Sequence, residues 1–480
     1  MLRAHGRAMM VSCMAVLIAV VIAVQSTLAA PGLPAPKSRI DHPKTISDYI
    51  KHVVFIVEEN RSFDFMFGAY ATPQNGVNGV TVGRTITGAL VPLTEAGNTN
   101  DNLDLGHARS SAIMGYDNGA MDGFTLVGAG RGLLTSNVVS HNNFLSYTQL
   151  KPDIQSRYWM YADHYVLADN AYSSMLGASF TNHLFTIAAQ GAGAANAPDD
   201  GQSWGCDARP GTVVHMLNGT IQFPCFDEGT IETLAPELDV AGVSWKMYSP
   251  PQGQTVWNEF DAIRQIRCGD PKCQTYSQEW LDHMFLPTQF TKDLQDNQLP
   301  AVSWIIPYGT FAEHPPASIC AGESWTVNIL NTLMETANRK PGQGEDYYAD
   351  TAVVIVWDDF GGFYDHVPPS FVDIAGYGMR APMLVISPYA DATTDPLHPH
   401  VSHTLYEFSS VIKLIEKIYG LQPLDNGHDR DANPNLSDMT DLFNFNQAPI
   451  PPLMLTPRCN VDMNNPPPTN DSMFLGDDPD

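Results

Sequence analysis

Several short runs along the chain are apolar at nearly every position, rich in β-branched residues, and stop abruptly at polar or acidic ones. His52 to Val57 runs into Glu58, Glu59 and Asn60, and Thr351 to Trp357 runs into Asp358 and Asp359. Val302 to Ile306 leads through a short loop to Glu313 and His314, and Met383 to Ile386 leads to Ser387 and Pro388. Strands that are apolar on both faces belong to a parallel sheet covered by helices, where ligands sit beyond the carboxyl ends of the strands. The pattern predicts an α/β fold: a central, mainly parallel sheet with helices on both faces and loop insertions, its polar strand ends converging on one edge. Between the strands, Ser324 is predicted to cap a helix through Arg339 with Val327, Leu330, Leu333 and Met334 inward. Leu405 to Tyr419 repeats apolar residues at helical spacing and stops at Gly420.

At the start, Arg3 and Arg7 precede an uncharged apolar run from Met9 to Val24, with small residues at Thr27 to Ala29. This reads as a cleaved signal peptide over 1–29, shorter than a membrane span, so the mature chain is expected to be secreted or periplasmic with no integral membrane segment. A linker over 30–48, one catalytic domain over 49–445 and a Pro- and Asp-rich tail over 446–480 follow. Beyond the leader six cysteines remain, and in an oxidising compartment an even number points to disulfides. Sequence neighbours suggest Cys206 with Cys225 and Cys268 with Cys273, leaving Cys320 and Cys459 to pin the tail. The stretch from about Gly191 to Pro224 is rich in turn residues and is predicted to be a loop excursion held by one of these bridges.

Composition narrows the function classes. The 480 residues are 44% hydrophobic and 16% charged, with 37 Gly and 36 Pro, which suits a large core and excludes a disordered, collagen-like or coiled-coil chain. Lys and Arg number 25 against 52 Asp and Glu, a net charge of −27. So acidic a chain has no sequence-independent grip on nucleic acid, and to handle phosphate at all it needs local cations or a metal.

The acidic strand ends supply a place for one. Carboxylates gathered at a sheet rim repel one another unless a cation sits among them, so Glu59 with Asn60 and Asp358 with Asp359 predict a site for one divalent metal ion with oxygen-rich ligation. A single such end is as readily a helix or turn cap; two ends of the same design favour the metal. In the segment Asp169 to Leu184, Gly177 permits a tight turn and places Ser179 at the start of a helix running toward Gln190. An exposed Oγ there sits at the positive end of the helix dipole, where phosphate binding and alkoxide formation are favoured. Asn182, one turn on, is placed to donate its amide to a phosphoryl oxygen. An ordinary helix cap is the plain alternative for Ser179, and Thr181 at the second glycine position argues against a Gly-x-Ser-x-Gly elbow. His107, His314 and His366 lie in loop-like contexts; at the same rim they would neutralise phosphate charge or protonate a leaving oxygen.

Together the motifs Glu58-Glu-Asn-Arg-Ser-Phe-Asp64, Met121-Asp-Gly-Phe124, Gly177 to Leu184, Glu313-His-Pro-Pro316, Asp358-Asp-Phe-Gly-Gly-Phe-Tyr-Asp-His-Val-Pro-Pro369 and Gly378-Met-Arg-Ala-Pro382 resemble the bacterial phosphoesterase family. That family contains secreted phospholipases C and acid phosphatases and belongs to the alkaline-phosphatase-like superfamily. The resemblance spans roughly residues 50 to 445. It implies a metal held by Glu59, Asn60, Asp358 and Asp359, Ser179 as nucleophile, His107, His314 and His366 lining the phosphate pocket, and Asn182 on the phosphate. It further implies phosphoric-ester hydrolysis through a phosphoserine, on a phospholipid or, alternatively, on a phosphomonoester. A secreted binding protein that keeps the fold without turnover is a third reading, which the presence of all four of Glu59, Ser179, Asp358 and Asp359 disfavours. Where many relatives carry Asp-His-x-Ser, this chain has Glu407-Phe408-Ser409-Ser410, so a pocket histidine is expected to be missing. The chain also ends soon after the catalytic region, which weakens an expectation of strong membrane docking.

Overall fold

A computed structural model describes residues 44–467, apart from 97–103, 129–143, 200–203, 228, 252–257, 341, 393–399 and 425–428. The expected leader, the 30–48 linker up to residue 43 and the tail beyond 467 lie outside the described residues. Eight strands build the central sheet: β1 (His52–Glu58), β2 (Val166–Ala168), β3 (Trp245–Tyr248), β4 (Met284–Phe285), β5 (Val302–Ile305), β6 (Thr351–Trp357), β7 (Met383–Ile386) and β8 (His400–Ser402). Their order is β4-β3-β5-β1-β6-β7-β2-β8. All neighbours are parallel except the two pairs made by β7.

β1, β5 and β6 lie at the centre and are buried along almost their whole length, which is why their sequences are apolar without alternation. Side chains still alternate between the faces. On one face Trp304 of β5, level with Phe55, donates its indole N–H to Thr186 O at 3.0 Å, in the helix Ser179–Ala188. On the other, Trp357 of β6, level with Glu58, packs edge-on against Tyr158 of the helix Arg157–His164, and Glu58 accepts from Thr326 of the helix Ile319–Met334 at 2.5 Å. The sheet thus separates a serine-bearing helix layer from a second helix layer. Glu58 and Glu59 point to opposite sides.

Three expectations change. β7 runs against its neighbours, so Ser387 and Pro388 leave at the far edge and the preceding Arg380 is delivered to the edge where the acids gather; an apolar run has no sign of direction in it. The Ile319–Met334 helix starts at Ser318, whose hydroxyl accepts from Ala321 N, and Ser324 lies inside it. There Ser324 Oγ accepts from Cys459 N at 2.9 Å. The last long helix begins at Phe408 rather than Leu405, with Glu407 and Ser410 capping each other, and it ends at left-handed Gly420.

The three disulfides join Cys206 to Cys225, Cys268 to Cys273 and Cys320 to Cys459. The last fastens an irregular segment to the Ile319–Met334 helix, where Asn331 also exchanges two hydrogen bonds with Leu455. The described residues of the 191–224 excursion form turns, a 3-10 turn at Gly205–Asp207 and a short ribbon pairing Val214–His215 with Ile221–Gln222. Among the described residues no helix is long and apolar enough to cross a membrane.

Arg380 ties the distant motifs together. Fully buried, it holds Asp365 through two bonds of 2.9 and 3.1 Å and Asp64 at 3.4 Å. It also donates to Asn78 O and Asp169 O at 2.7 Å each, and lies over the Phe63 ring. Removing one partner of a buried charge cluster leaves the rest uncompensated and costs about 3–5 kcal/mol. Arg380→Met should therefore lower unfolding free energy by about that amount in urea titrations; a loss within about 0.5 kcal/mol, the range of an ordinary surface change, would show that the clamp is not what joins these segments.

Candidate active site

β1 and β6 are adjacent and in register, with Glu58 level with Trp357, so the next residues on each, Glu59 and Asp358, emerge side by side at the same edge. Past Glu59 the backbone turns sharply: Asn60 has φ 60° and its N–H donates to Asp358 Oδ1 at 2.8 Å. Asp358 Oδ1 also receives Asp359 N at 2.7 Å, and Asp359 Oδ1 receives Gly361 N at 2.7 Å. Gly361, at φ 59°, is required here, because a β-carbon would lie 2.2 Å from Asn60 O. The turns after both strands are thereby locked into each other.

Ser179 comes from the opposite direction, at the first position of the helix Ser179–Ala188. Its Oγ donates to Asp359 Oδ2 at 3.2 Å. The plain capping alternative does not hold, since Ala178 occupies the cap position and Ser179 makes no cap bond. Nor is the hydroxyl exposed: Ser179 is completely buried, as are Glu59, Asn60, Asp358 and Asp359. Side chains from three segments far apart in the chain thus come together.

Two of the three histidines join them. His107 Nδ1 is bonded to Leu105 O and His314 Nδ1 to Pro315 O, at 2.7 Å each, and the rings meet edge to face 5.7 Å apart. Pinning both Nδ1 atoms turns both Nε2 atoms toward Asn60. With its amide nitrogen turned to the acids, Asn60 donates to Asp358 Oδ1 and Asp359 Oδ1 at 3.2 Å and accepts from His314 Nε2 at 3.0 Å. His366 is elsewhere. Its Nδ1 bonds Asp64 Oδ2 at 2.7 Å and its Nε2 faces Asn78 Oδ1 at 3.1 Å, within the Arg380 clamp. Asn182 is also employed differently from the expectation: its oxygen accepts from Met175 N at 2.8 Å and its nitrogen faces the carbonyls of Met175, Gly177 and Ala178. Both ends are spent on bracing the loop before Ser179. At the position where a histidine was expected to be missing, Phe408 is buried and its N–H donates to Ser174 Oγ at 3.2 Å.

The residue that sequence reasoning missed is His183. It stands four positions after Ser179 on the same helix, and that i, i+4 spacing was the available signal. Its Nε2 lies 3.1 Å from Glu59 Oε1 and 3.6 Å from Asp358 Oδ2, and its Nδ1 lies 2.9 Å from Glu259 Oε1. Nothing in the sequence around Glu259 marks it.

So many acids in a dry interior shift one another. Burial first, then the Asp358 charge, pushes the Glu59 carboxyl well up. Burial also works against Asp358, but His183 beside it prevails and holds its carboxyl below the usual range. For His183, burial is outweighed by the surrounding carboxylates, and its pKa rises well above the ordinary value. Arg61 adds a buried cation, its guanidinium between the Phe65 and Phe363 rings and pushed down to about 10 by burial. Glu59 Oε2 and Asp358 Oδ2 have no hydrogen-bond donor. Two orphaned, buried carboxylate oxygens with Asp359 beside them form a donor set that suits a hard divalent cation, and Asn60 would add its amide oxygen with the amide turned the other way, its hydrogen bonds to the acids given up.

Comparison with known proteins follows the same residues. Residues 50–422 match the phosphoesterase family. The chain belongs to that family. It is therefore a phosphoric ester hydrolase. It is 26% identical over 467 residues to "Phospholipase C B" of Mycobacterium tuberculosis, covering 86% of this chain and 81% of that one. "Hemolytic phospholipase C" of Pseudomonas aeruginosa is 26% identical over 451 residues, covering 84% of this chain and 57% of that one. "Non-specific phospholipase C1" of Arabidopsis thaliana is 22% identical over 427 residues, covering 79% and 69%.

Immediately before His314, Glu313 lies behind the site at φ 66°, receiving Tyr158 OH at 2.9 Å and Trp357 Nε1 at 3.0 Å. Gly322 leaves it room, since a β-carbon there would come within 2.3 Å of Glu313 Cγ. Burial raises its carboxyl from 4.5 to about 7. A carboxyl raised on folding stabilises while protonated; that contribution is complete below the unfolded value and lost as pH climbs through the folded one. Melting temperature should thus fall between pH 4.5 and about 7, and Glu313→Gln should flatten that decline, a test made by thermal melts across the window. An unchanged slope in the variant would place the titration elsewhere.

Proposed function

We propose that the protein is a secreted, metal-dependent phosphodiesterase of the phospholipase C type, with Ser179 as the nucleophile. The observation that carries this reading is the buried Ser179 hydroxyl, at a helix N-terminus and 3.2 Å from Asp359 within the Glu59, Asn60, Asp358 cluster. Names of the similar proteins favour a phospholipid substrate, and the apolar leader over 1–29 supports export.

Glu59, Asn60, Asp358 and Asp359 would hold a divalent ion, which supplies positive charge beside the reacting phosphoryl oxygens and lowers the cost of alkoxide formation. The chain's own groups do the rest. Asp359 accepts the Ser179 proton and so turns an Oγ lone pair toward the substrate. First-turn N–H groups of the Ser179–Ala188 helix, which have no partners within the helix, receive phosphoryl oxygens along the dipole. The Oγ–P bond forms as the P–O bond to the alcohol breaks, and the alcohol leaves with a proton from the Nε2 side of His107 or His314. Water then attacks the phosphoserine, giving a proton back to the histidine that lost one, the P–Oγ bond breaks, and Ser179 regains its proton from Asp359. Both histidines are held with Nε2 inward by backbone carbonyls, the orientation this transfer requires.

Ser179→Ala should lower kcat on p-nitrophenyl phosphorylcholine by roughly three orders of magnitude or more, the scale for deleting a covalent nucleophile. Chelation of the wild type should abolish turnover reversibly. Undiminished activity of the variant would remove Ser179 from the chemistry. Faster wild-type turnover of p-nitrophenyl phosphate than of the diester would reassign the enzyme to phosphomonoesters.

A further inference from the structure

We propose that His183 is itself a ligand of the bound cation, oriented by Glu259, so that the centre is a mixed nitrogen and oxygen site. The inference rests on the metal reading given above and goes beyond its four oxygen-bearing residues.

His183 is wholly buried and both of its nitrogens are committed. Glu259 Oε1 lies 2.9 Å from Nδ1 and also accepts from Thr186 Oγ1 at 3.2 Å. A carboxylate at Nδ1 takes that nitrogen's hydrogen, which sets the tautomer and aims the Nε2 lone pair away from Glu259. Nε2 then faces Glu59 Oε1 at 3.1 Å and Asp358 Oδ2 at 3.6 Å. With a hydrogen on Nε2 these contacts are hydrogen bonds; with Nε2 bare, a cation among the three atoms, which all lie within 4.8 Å of one another, takes that hydrogen's place. Two bonds of about 2.0–2.3 Å meeting at one ion allow their donors to be no more than about 4–4.6 Å apart, and both separations fall inside that limit. The carboxylate, imidazole and ion in line form the arrangement by which proteins orient histidine ligands. A second, independent observation is that Glu59 Oε2 and Asp358 Oδ2 are buried without donors.

A nitrogen ligand alters what the site selects. Imidazole suits iron and zinc best and raises manganese affinity to a lesser degree, while adding least for calcium and magnesium, which an all-oxygen set accepts. Because His183 and Ser179 share one helix, the same turn carries a ligand and the nucleophile.

The test uses Mn²⁺ added to metal-depleted full-length protein, with binding followed by calorimetry and coordination by electron spin echo modulation. Wild type should bind Mn²⁺ with the modulation of a directly coordinated ¹⁴N. His183→Gln should lose that modulation and at least tenfold of the preference for Mn²⁺ over Ca²⁺. Glu259→Gln should weaken Mn²⁺ binding by about 10–100-fold, the usual effect of removing an orienting partner. The double variant His107→Gln/His314→Gln should keep the modulation, which decides the assignment even if His183→Gln fails to fold. Mn²⁺ bound by wild type without ¹⁴N coupling, or coupling that survives in His183→Gln or vanishes in the double variant, would overturn the proposal. In the first of these cases the metal reading stands and His183 only positions Glu59. Absence of any divalent-ion binding by wild type would overturn both.

Discussion

The site is governed by one electrostatic constraint: two neighbouring parallel strands end in acids that are fully buried. Because β1 and β6 are in register, the sheet itself delivers Glu59 and Asp358 to the same place. Like charges at such range in a low dielectric are tolerable only with positive charge alongside or with one of them holding a proton. The fold provides three sources. Arg61 lies buried behind the acids, His183 faces them from the helix layer, and the Ser179–Ala188 helix directs its N-terminus at them. That these do not fully satisfy Glu59 Oε2 and Asp358 Oδ2 is the physical basis for the cation proposed here.

The motif residues divide by which way the strand turns them. Glu58 and Glu59 are adjacent in sequence yet act in different layers. Glu58 faces Thr326 and, with Glu313, forms a buried acidic pocket whose carboxyls burial raises, while Glu59 faces the serine helix. Asp64, Asp365, His366 and Arg380 belong to neither layer. They form an ionic clamp with a scaffolding part: Arg380 joins the segments that carry Asp64, Asp169 and Asp365.

Much of this is legible in the order of the amino acids. Apolar runs on both faces identify β1, β5 and β6, because a central strand has no solvent face on which to place polar residues, and their acidic ends locate the site. Sequence neighbours suggest the three bridges, but six cysteines allow fifteen pairings and only the structure selects among them. What is not legible depends on direction and on partners distant in sequence. β7 carries the same apolar pattern whether it runs up or down. Ser318 and Ser324 are both serines ahead of apolar residues, and only packing decides which one caps. His366 and Asn182 are polar residues in motif contexts, but Asp64 claims the first and the Met175–Ala178 loop claims the second. Glu259 sits in a single short turn with no periodicity to reveal it.

One helix carries Ser179, Asn182 and His183, and this limits how the enzyme can vary. Positions i, i+3 and i+4 share a face and move as a rigid unit. Asn182 fastens that unit to the loop before it through both ends of its amide, and Gly177 in that loop lies against Ala195 O, with only 3.2 Å available to a β-carbon. A change that shifted the Ser179 hydroxyl would also shift the imidazole beside Glu59, so the serine cannot be re-aimed without disturbing the acidic cluster. Discrimination between a monoester and a lipid diester is therefore expected to arise outside this helix and to leave the strand ends and the serine helix unchanged.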